Sequence, residues 1–167
     1  MKKRQKLVVK SSKKNINWKV LFICLAIVYL VAFIGSLFTS SAVGTEWYQS
    51  IKPSITPPSY VFPIVWNALF FLIAVSLYLA WTSSNKKQKP KIALVFIVNF
   101  ILNILWSVLY FGAKSPISAF VEIILLWISI FMMLVVTYKI NKKSCYLLIP
   151  YLLWVSFAII LNYLSII

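Results

Sequence analysis

The chain has 167 residues, 62% of them hydrophobic and only 11% charged, which excludes both an ordinary soluble domain, with roughly 45–50% apolar and about 25% charged residues, and a disordered chain. It contains no histidine and two acids, Glu46 and Glu122, against 17 lysines and arginines, for a net charge of +15. No Ser-His-Asp triad, histidine zinc site, carboxylate metal cage or paired-carboxylate hydrolase can be assembled from that inventory, so no metal site is expected.

In chain order, Met1–Lys19 comes first as a basic arm with eight cations and no acid. Residues 20–167 then form one membrane domain. Five apolar stretches reach the length of about 20 residues that a bilayer requires: Val20–Phe38, Phe62–Trp81, Ile92–Phe111, Ile117–Ile140 and Tyr146–Ile167. The predicted fold class is therefore all-α, an integral membrane bundle of five transmembrane helices. The first stretch is longer than the roughly 7–15 apolar residues of a signal peptide, so it reads as an uncleaved span.

The cations alternate between compartments. Eight lie in the arm, four in the second connection (Lys86, Lys87, Lys89, Lys91) and three in the fourth (Lys139, Lys142, Lys143), while Lys52 and Lys114 stand alone in the other two. Basic loops stay cytoplasmic, which places the N-terminus inside and the C-terminus outside. The high net charge is then a topology signal with an attraction to anionic lipid, and no nucleic-acid partner is expected because no nucleic-acid-binding module accompanies the cations. Cys24 and Cys145 lie near cytoplasmic span ends and read as small packing residues.

Polar groups inside spans face a bundle interior or a cavity. In the third span Asn99, Asn103, Trp106 and Tyr110 share a helical face at spacings of 4, 3 and 4. Trp66 and Phe70 share one in the second span, Glu122, Leu126, Ser129 and Met133 one in the fourth, and Tyr151, Trp154, Ala158 and Asn162 one in the fifth. By depth, four helices bring Trp, Asn, Ser or Glu to one layer in the outer leaflet, with Trp66 roughly 7 Å below the outer edge. Two readings stay open for that layer: hydrogen bonding between packed helices, to which Ala32, Ser36 and Ser40 of the first span would add small spacers, or the wall of a ligand cavity. The connection from Trp47 to Tyr60 holds three prolines within six residues (Pro53, Pro57, Pro58) and is expected to be stiff and extended. Its aromatics suit either an interfacial belt or a lid.

These residues carry a resemblance. Trp47-Tyr48, Pro53-Ser54 to Pro57-Pro58, Val61-Phe62-Pro63-Ile64-Val65-Trp66, Asn103-x-x-Trp106-Ser107, Phe111-Gly112-Ala113 and Pro150-Tyr151-x-x-Trp154-x-x-x-Ala158-x-x-Leu161-Asn162 resemble the motifs of the TspO/MBR family of tryptophan-rich sensory and translocator proteins, from the first span to the C-terminus. The resemblance implies a homodimeric five-helix bundle with a pocket beneath the first loop. It implies protoporphyrin IX, haem or a related tetrapyrrole as ligand, and benzodiazepine-site compounds as synthetic ones. Some bacterial members degrade protoporphyrin in light and oxygen. Carried over by motif, Trp66 and Trp154 would be the catalytic residues. Trp47, Phe62, Asn103, Trp106, Ser107, Glu122, Tyr151 and Ala158 would be the binding residues. No cofactor is required beyond the tetrapyrrole, which is itself ligand or substrate. A bacterial member would sit in the plasma membrane as a multi-pass protein.

Two departures stand out. Ile55 occupies a loop position usually held by an aromatic, and no cation follows the fifth span, so a terminal cholesterol-recognition pattern is incomplete. With no histidine to ligate iron, the resemblance narrows to metal-free porphyrin. Three roles share the binding step: photo-oxidative degradation, non-catalytic sensing through a partner, and transport of porphyrins or similar amphiphiles. Transport would call for inverted repeats or buried charge pairs, and neither is evident.

Overall fold

The computed structural model describes residues 15–167; most of the basic arm lies outside the described residues. The described part is helical from end to end, with α1 at Trp18–Ala42, α2 at Glu46–Ile51, α3 at Val61–Ser83, α4 at Lys89–Ser107, α5 at Pro116–Tyr138 and α6 at Lys142–Leu164. A single π-helical turn, Val108–Gly112, extends α4. The five long helices, counting that turn with α4, are each long and apolar enough to cross a membrane, as expected from the five apolar stretches.

Helix ends follow local chemistry. Asn17 caps α1, its Oδ1 accepting from the Val20 amide at 3.2 Å, and Asn141 caps α6 by accepting from the Lys143 and Ser144 amides. Pro116 sits in the first turn of α5, where its missing N–H costs nothing. Pro150 lies inside α6, and a membrane helix tolerates it because neighbouring helices re-satisfy the freed backbone.

The long helices close into a ring in the order α1, α3, α6, α5, α4, with α4 returning to α1. The core inside the ring includes Ile73, Phe96, Ile130, Leu148 and Tyr151, all nearly inaccessible. Its exterior is just as apolar: Phe22, Leu30, Phe33, Ile97 and Val121 lie 54–65% exposed. A surface of that kind is stable in lipid rather than water.

The two ends of the bundle differ. At one end Ser76 and Ser144 are fully buried and bond reciprocally: each hydroxyl donates to the other's carbonyl, at 2.9 and 2.8 Å, and the hydroxyls lie 2.9 Å apart. This clamp fastens α3 to α6 where the basic connections gather, and the Asn141 amide adds a bond to Ser83 Oγ at 2.9 Å. Interhelical hydrogen bonds of this type hold membrane helices together. The opposite end, where α2 and the proline segment lie, is not closed in the same way.

Candidate functional site

A cavity of about 590 Å³ opens at the α2 end, between the halves of α1, α3, α4 and α6 nearest α2. That volume lies within the range of sites for drug-sized ligands. Trp66 on α3 and Trp154 on α6 present indoles to it from neighbouring helices. Trp66 stacks on Phe70 with centroids 5.3 Å apart, and Phe62 meets the Trp154 ring edge-on at 5.9 Å. Both indoles are half-buried, and neither N–H has a hydrogen-bond acceptor among the described residues. Trp106 differs: its Nε1 donates to Asn162 Oδ1 at 3.1 Å, and Asn162 Nδ2 donates to the Pro116 carbonyl at 2.9 Å.

Beneath the cavity lies a polar floor. Asn103 Nδ2 donates to the Tyr151 hydroxyl at 3.0 Å, and that hydroxyl faces Asn99 Oδ1 at 3.4 Å. Asn99 Nδ2 donates to Ser129 Oγ at 2.9 Å, and Ser129 donates to the Leu126 carbonyl at 2.6 Å. One chain of bonds thus ties α4, α5 and α6, and sets the Tyr151 ring edge-on to Trp66 at 6.2 Å. The polar layer at the cavity end is therefore packing glue and cavity wall at once: Trp106, Asn162 and Asn103 join helices and also face the cavity.

The cover forms differently from the expected extended loop. Thr45 Oγ1 accepts from the Tyr48 amide at 3.4 Å and starts α2, so Trp47 and Tyr48 are helical. The prolines come only after this helix and confine the extended backbone to residues 52–60. A turn closed by Thr56 N–H donating to the Pro53 carbonyl at 3.0 Å puts Pro53 and Thr56 on the cavity and leaves Ile55 at its tip, 53% exposed. In this chain, position 55 does not contribute to the wall. α2 docks on the π turn: Trp47 lies edge-on to Tyr110 at 6.1 Å, Tyr48 packs on Phe111 at 5.8 Å, and Lys114 Nζ sits 5.8 Å above the Trp47 ring. Lys114 takes a left-handed backbone, φ 50°, which turns the chain from α4 into α5.

The cavity wall includes no acidic or basic side chain among the described residues. Burial pushes the Tyr48 phenol above its usual range, and the neighbouring Tyr110 adds to the rise, so Tyr48 stays neutral at physiological pH. Polarity in the wall comes from hydroxyls, amides and indoles.

Of the ten residues expected at the site, Phe62, Trp66, Asn103, Trp106, Ser107, Trp154 and Ala158 line this cavity together. Three do not touch it. Trp47 braces the cover from its far side, and Tyr151 belongs to the floor. Glu122 is buried on α5 at 4% exposure, and its two carboxylate oxygens have no hydrogen-bond partner among the described residues; its helical neighbours Ile123 and Leu126 reach the wall instead. Ala32, Ser36 and Ser40, read as spacers between helices, also line the cavity. Sequence reasoning did not select Tyr48, Tyr110 or Thr56 as binding residues. The 48-to-111 pairing arises only when α2 folds, while Tyr110 stays on the face it shares with Asn103 and Trp106, stacked on the Trp106 ring at 5.1 Å.

Comparison with known proteins agrees with this architecture. The TspO/MBR family profile matches residues 18–166. The tryptophan-rich protein TspO of Chlorobaculum tepidum is 36% identical over 144 residues, covering 86% of this chain and 91% of that one. The protein of the same name from Archaeoglobus fulgidus is 39% identical over 137 residues, covering 81% and 88%. The human translocator protein is 31% identical over 137 residues, covering 80% of each chain. Five membrane-length helices, the aromatic cavity under a helical cover and a family match across nearly the whole described chain lead to one conclusion: this multi-pass membrane protein belongs to the TspO/MBR family.

Proposed function

We propose that the chain binds a flat, largely apolar tetrapyrrole, metal-free protoporphyrin IX or a close relative, in the cavity beneath α2, and promotes its breakdown in light and oxygen. The observation that carries this reading is the pair of indoles, Trp66 and Trp154, on neighbouring walls of one cavity that, among the described residues, has no charged side chain and no acceptor for their N–H groups. Aromatic faces match a macrocycle's π surface and leave its plane defined. Trp106, by contrast, is held by Asn162 and serves as fixed wall.

In this account the pigment absorbs the light and oxygen is the oxidant. The protein orients the macrocycle between oxidisable indoles and keeps water out with α2 and the proline turn. The absence of histidine from the sequence removes the commonest axial ligand of haem iron and favours the metal-free pigment. The same reading puts the cavity end at the outer face of a bacterial plasma membrane and the lysine-rich end in the cytoplasm, because basic segments remain inside.

The test is illumination of purified protein with protoporphyrin IX while the pigment's absorbance is followed. Wild type is expected to accelerate pigment loss over protein-free micelles, and the double variant Trp66→Phe, Trp154→Phe is expected to lose that acceleration while keeping its fold by circular dichroism. Equal rates in the two proteins would end the catalytic reading.

A further inference from the structure

A second hollow, of about 270 Å³, lies between α5 and α6 at the lysine-rich end, away from the cavity. Leu134, Val135 and Tyr138 of α5, Lys139 just beyond it and Cys145 of α6 line it. It opens sideways, toward the medium around the bundle: Val135 and Tyr138 are 38% and 50% exposed. Ile128 and Phe131 precede them on the same helical face and are also exposed. The hollow is thus the head of an apolar track that runs along α5 toward the middle of the span.

Two ammonium groups belong to that head. Lys139 lines the hollow, and the Lys142 Nζ lies 5.4 Å over the Tyr138 ring. Neither side chain has an ion pair or a hydrogen bond among the described residues. The two acidic side chains of the sequence are out of reach: Glu46 is on α2 at the cavity end, and Glu122 is buried in the half of α5 nearer that end. Lys86, Lys87 and Lys143, all exposed, add only positive charge to the lysine-rich end. The counter-charge must come from outside the chain.

Depth selects its source. α5 has 23 residues, a length of roughly 34 Å, against about 30 Å for the hydrocarbon core of a bilayer. Lys139 and Lys142, at the end of α5 and the start of α6, therefore stand at headgroup level, with the apolar track beside the acyl chains. A free phosphate would meet the lysines and leave the track empty. A neutral lipid would fill the track and leave the lysines unpaired. An anionic phospholipid satisfies both.

We infer that this hollow seats one anionic phospholipid, with its phosphate held by the Lys139 and Lys142 ammonium groups and an acyl chain lying along Val135, Phe131 and Ile128. The lipid bridges α5 and α6 beside Ser144 and stabilises the folded bundle by mass action. This inference is independent of the tetrapyrrole reading, since none of these residues lines the cavity.

The experiment is native mass spectrometry of the detergent-purified protein with equal amounts of phosphatidylglycerol and phosphatidylcholine carrying the same acyl chains. Wild type is expected to retain one phosphatidylglycerol in preference to phosphatidylcholine by roughly tenfold, the scale of two lysines at an anionic headgroup, and to melt higher in the anionic lipid. The pair Lys139→Gln, Lys142→Gln should lose the preference, and Lys139→Arg, Lys142→Arg should keep it. The pair Lys86→Gln, Lys87→Gln, which removes the same charge from the other connection at that end, should also keep it. Val135→Trp, which blocks the track at an exposed position, should lower retention with every lysine in place. Equal retention of the two lipids by wild type overturns the seat. Equal losses in the two glutamine pairs overturn it as well, since that pattern marks diffuse attraction. Displacement of the lipid by excess glycerol phosphate, or full retention in Val135→Trp, shows a phosphate contact without an acyl seat and overturns it too.

Discussion

Single residues differ in what their polar groups hold, and among the tryptophans the hydrogen bonds show the difference. Trp106 and Trp127 both spend their indole N–H on a neighbouring helix, with acceptors at 3.1 and 2.8 Å; Trp66 and Trp154 have no acceptor among the described residues. The composition of the sequence could not make that distinction, because all four are tryptophans at helical spacing. Tyr151 is the most consequential of the structural group. Tyr151→Phe leaves the buried amides of Asn99 and Asn103 short of a partner, and each such loss costs about 1–3 kcal/mol. The expected result is a melting temperature lower by several degrees in detergent, with pigment binding retained at lower temperature. Glu122 behaves differently. Its carboxylate has no hydrogen-bond partner to lose among the described residues, so Glu122→Gln is expected to leave the melting temperature unchanged or raise it. A clear fall would show that the Glu122 carboxylate is paired.

Among the elements, the cover is where sequence and structure part. The spans were legible because twenty-residue apolar runs can do little else, and their polar stripes were legible because period 3.6 puts residues such as Asn99 and Asn103 on one face. Helix α2 was hidden because six residues carry too little periodicity, and the prolines beyond it dominate the local reading. The Thr45 cap was the available signal, since threonine followed by an acid is a favourable helix start. The π turn was hidden too, since no residue type marks it. It matters because it carries Tyr110 and Phe111 to α2, and because Gly112 there passes so close to α1 that a Cβ would lie 3.0 Å from Phe38 Cδ1. The Trp47 contacts with Tyr110 and Lys114 are worth about 1–2 kcal/mol together as an edge-on pair and a cation–π contact. Trp47→Ala is therefore expected to speed pigment release by roughly tenfold, measured by stopped-flow dissociation. An unchanged off-rate would mean that α2 does not control exit.

The whole molecule is a ring of helices fastened at its basic end by Ser76, Ser144 and Asn141 and hollow at the other. Charge asymmetry, read from the sequence alone, predicts which end faces the cytoplasm, and the structure supplies sites to check it. In intact bacterial cells an impermeant maleimide is expected to label Ser54→Cys on the exposed turn and to miss Lys86→Cys, with little background because Cys24 and Cys145 are buried. The reverse pattern would invert the topology. The resemblance was legible across the whole described chain because its motifs fall at the helix ends and cavity faces that the fold requires. That no described residue brings charge to the cavity wall was not, since it depends on Glu122 lying outside that wall. The central claim is that this cavity is a tetrapyrrole site, and the most direct measurement is quenching of intrinsic tryptophan fluorescence by protoporphyrin IX. Saturable quenching at one pigment per chain, reduced in amplitude by Trp66→Phe and by Trp154→Phe, is the predicted result; quenching that rises linearly without saturation, and equally in both variants, would contradict it.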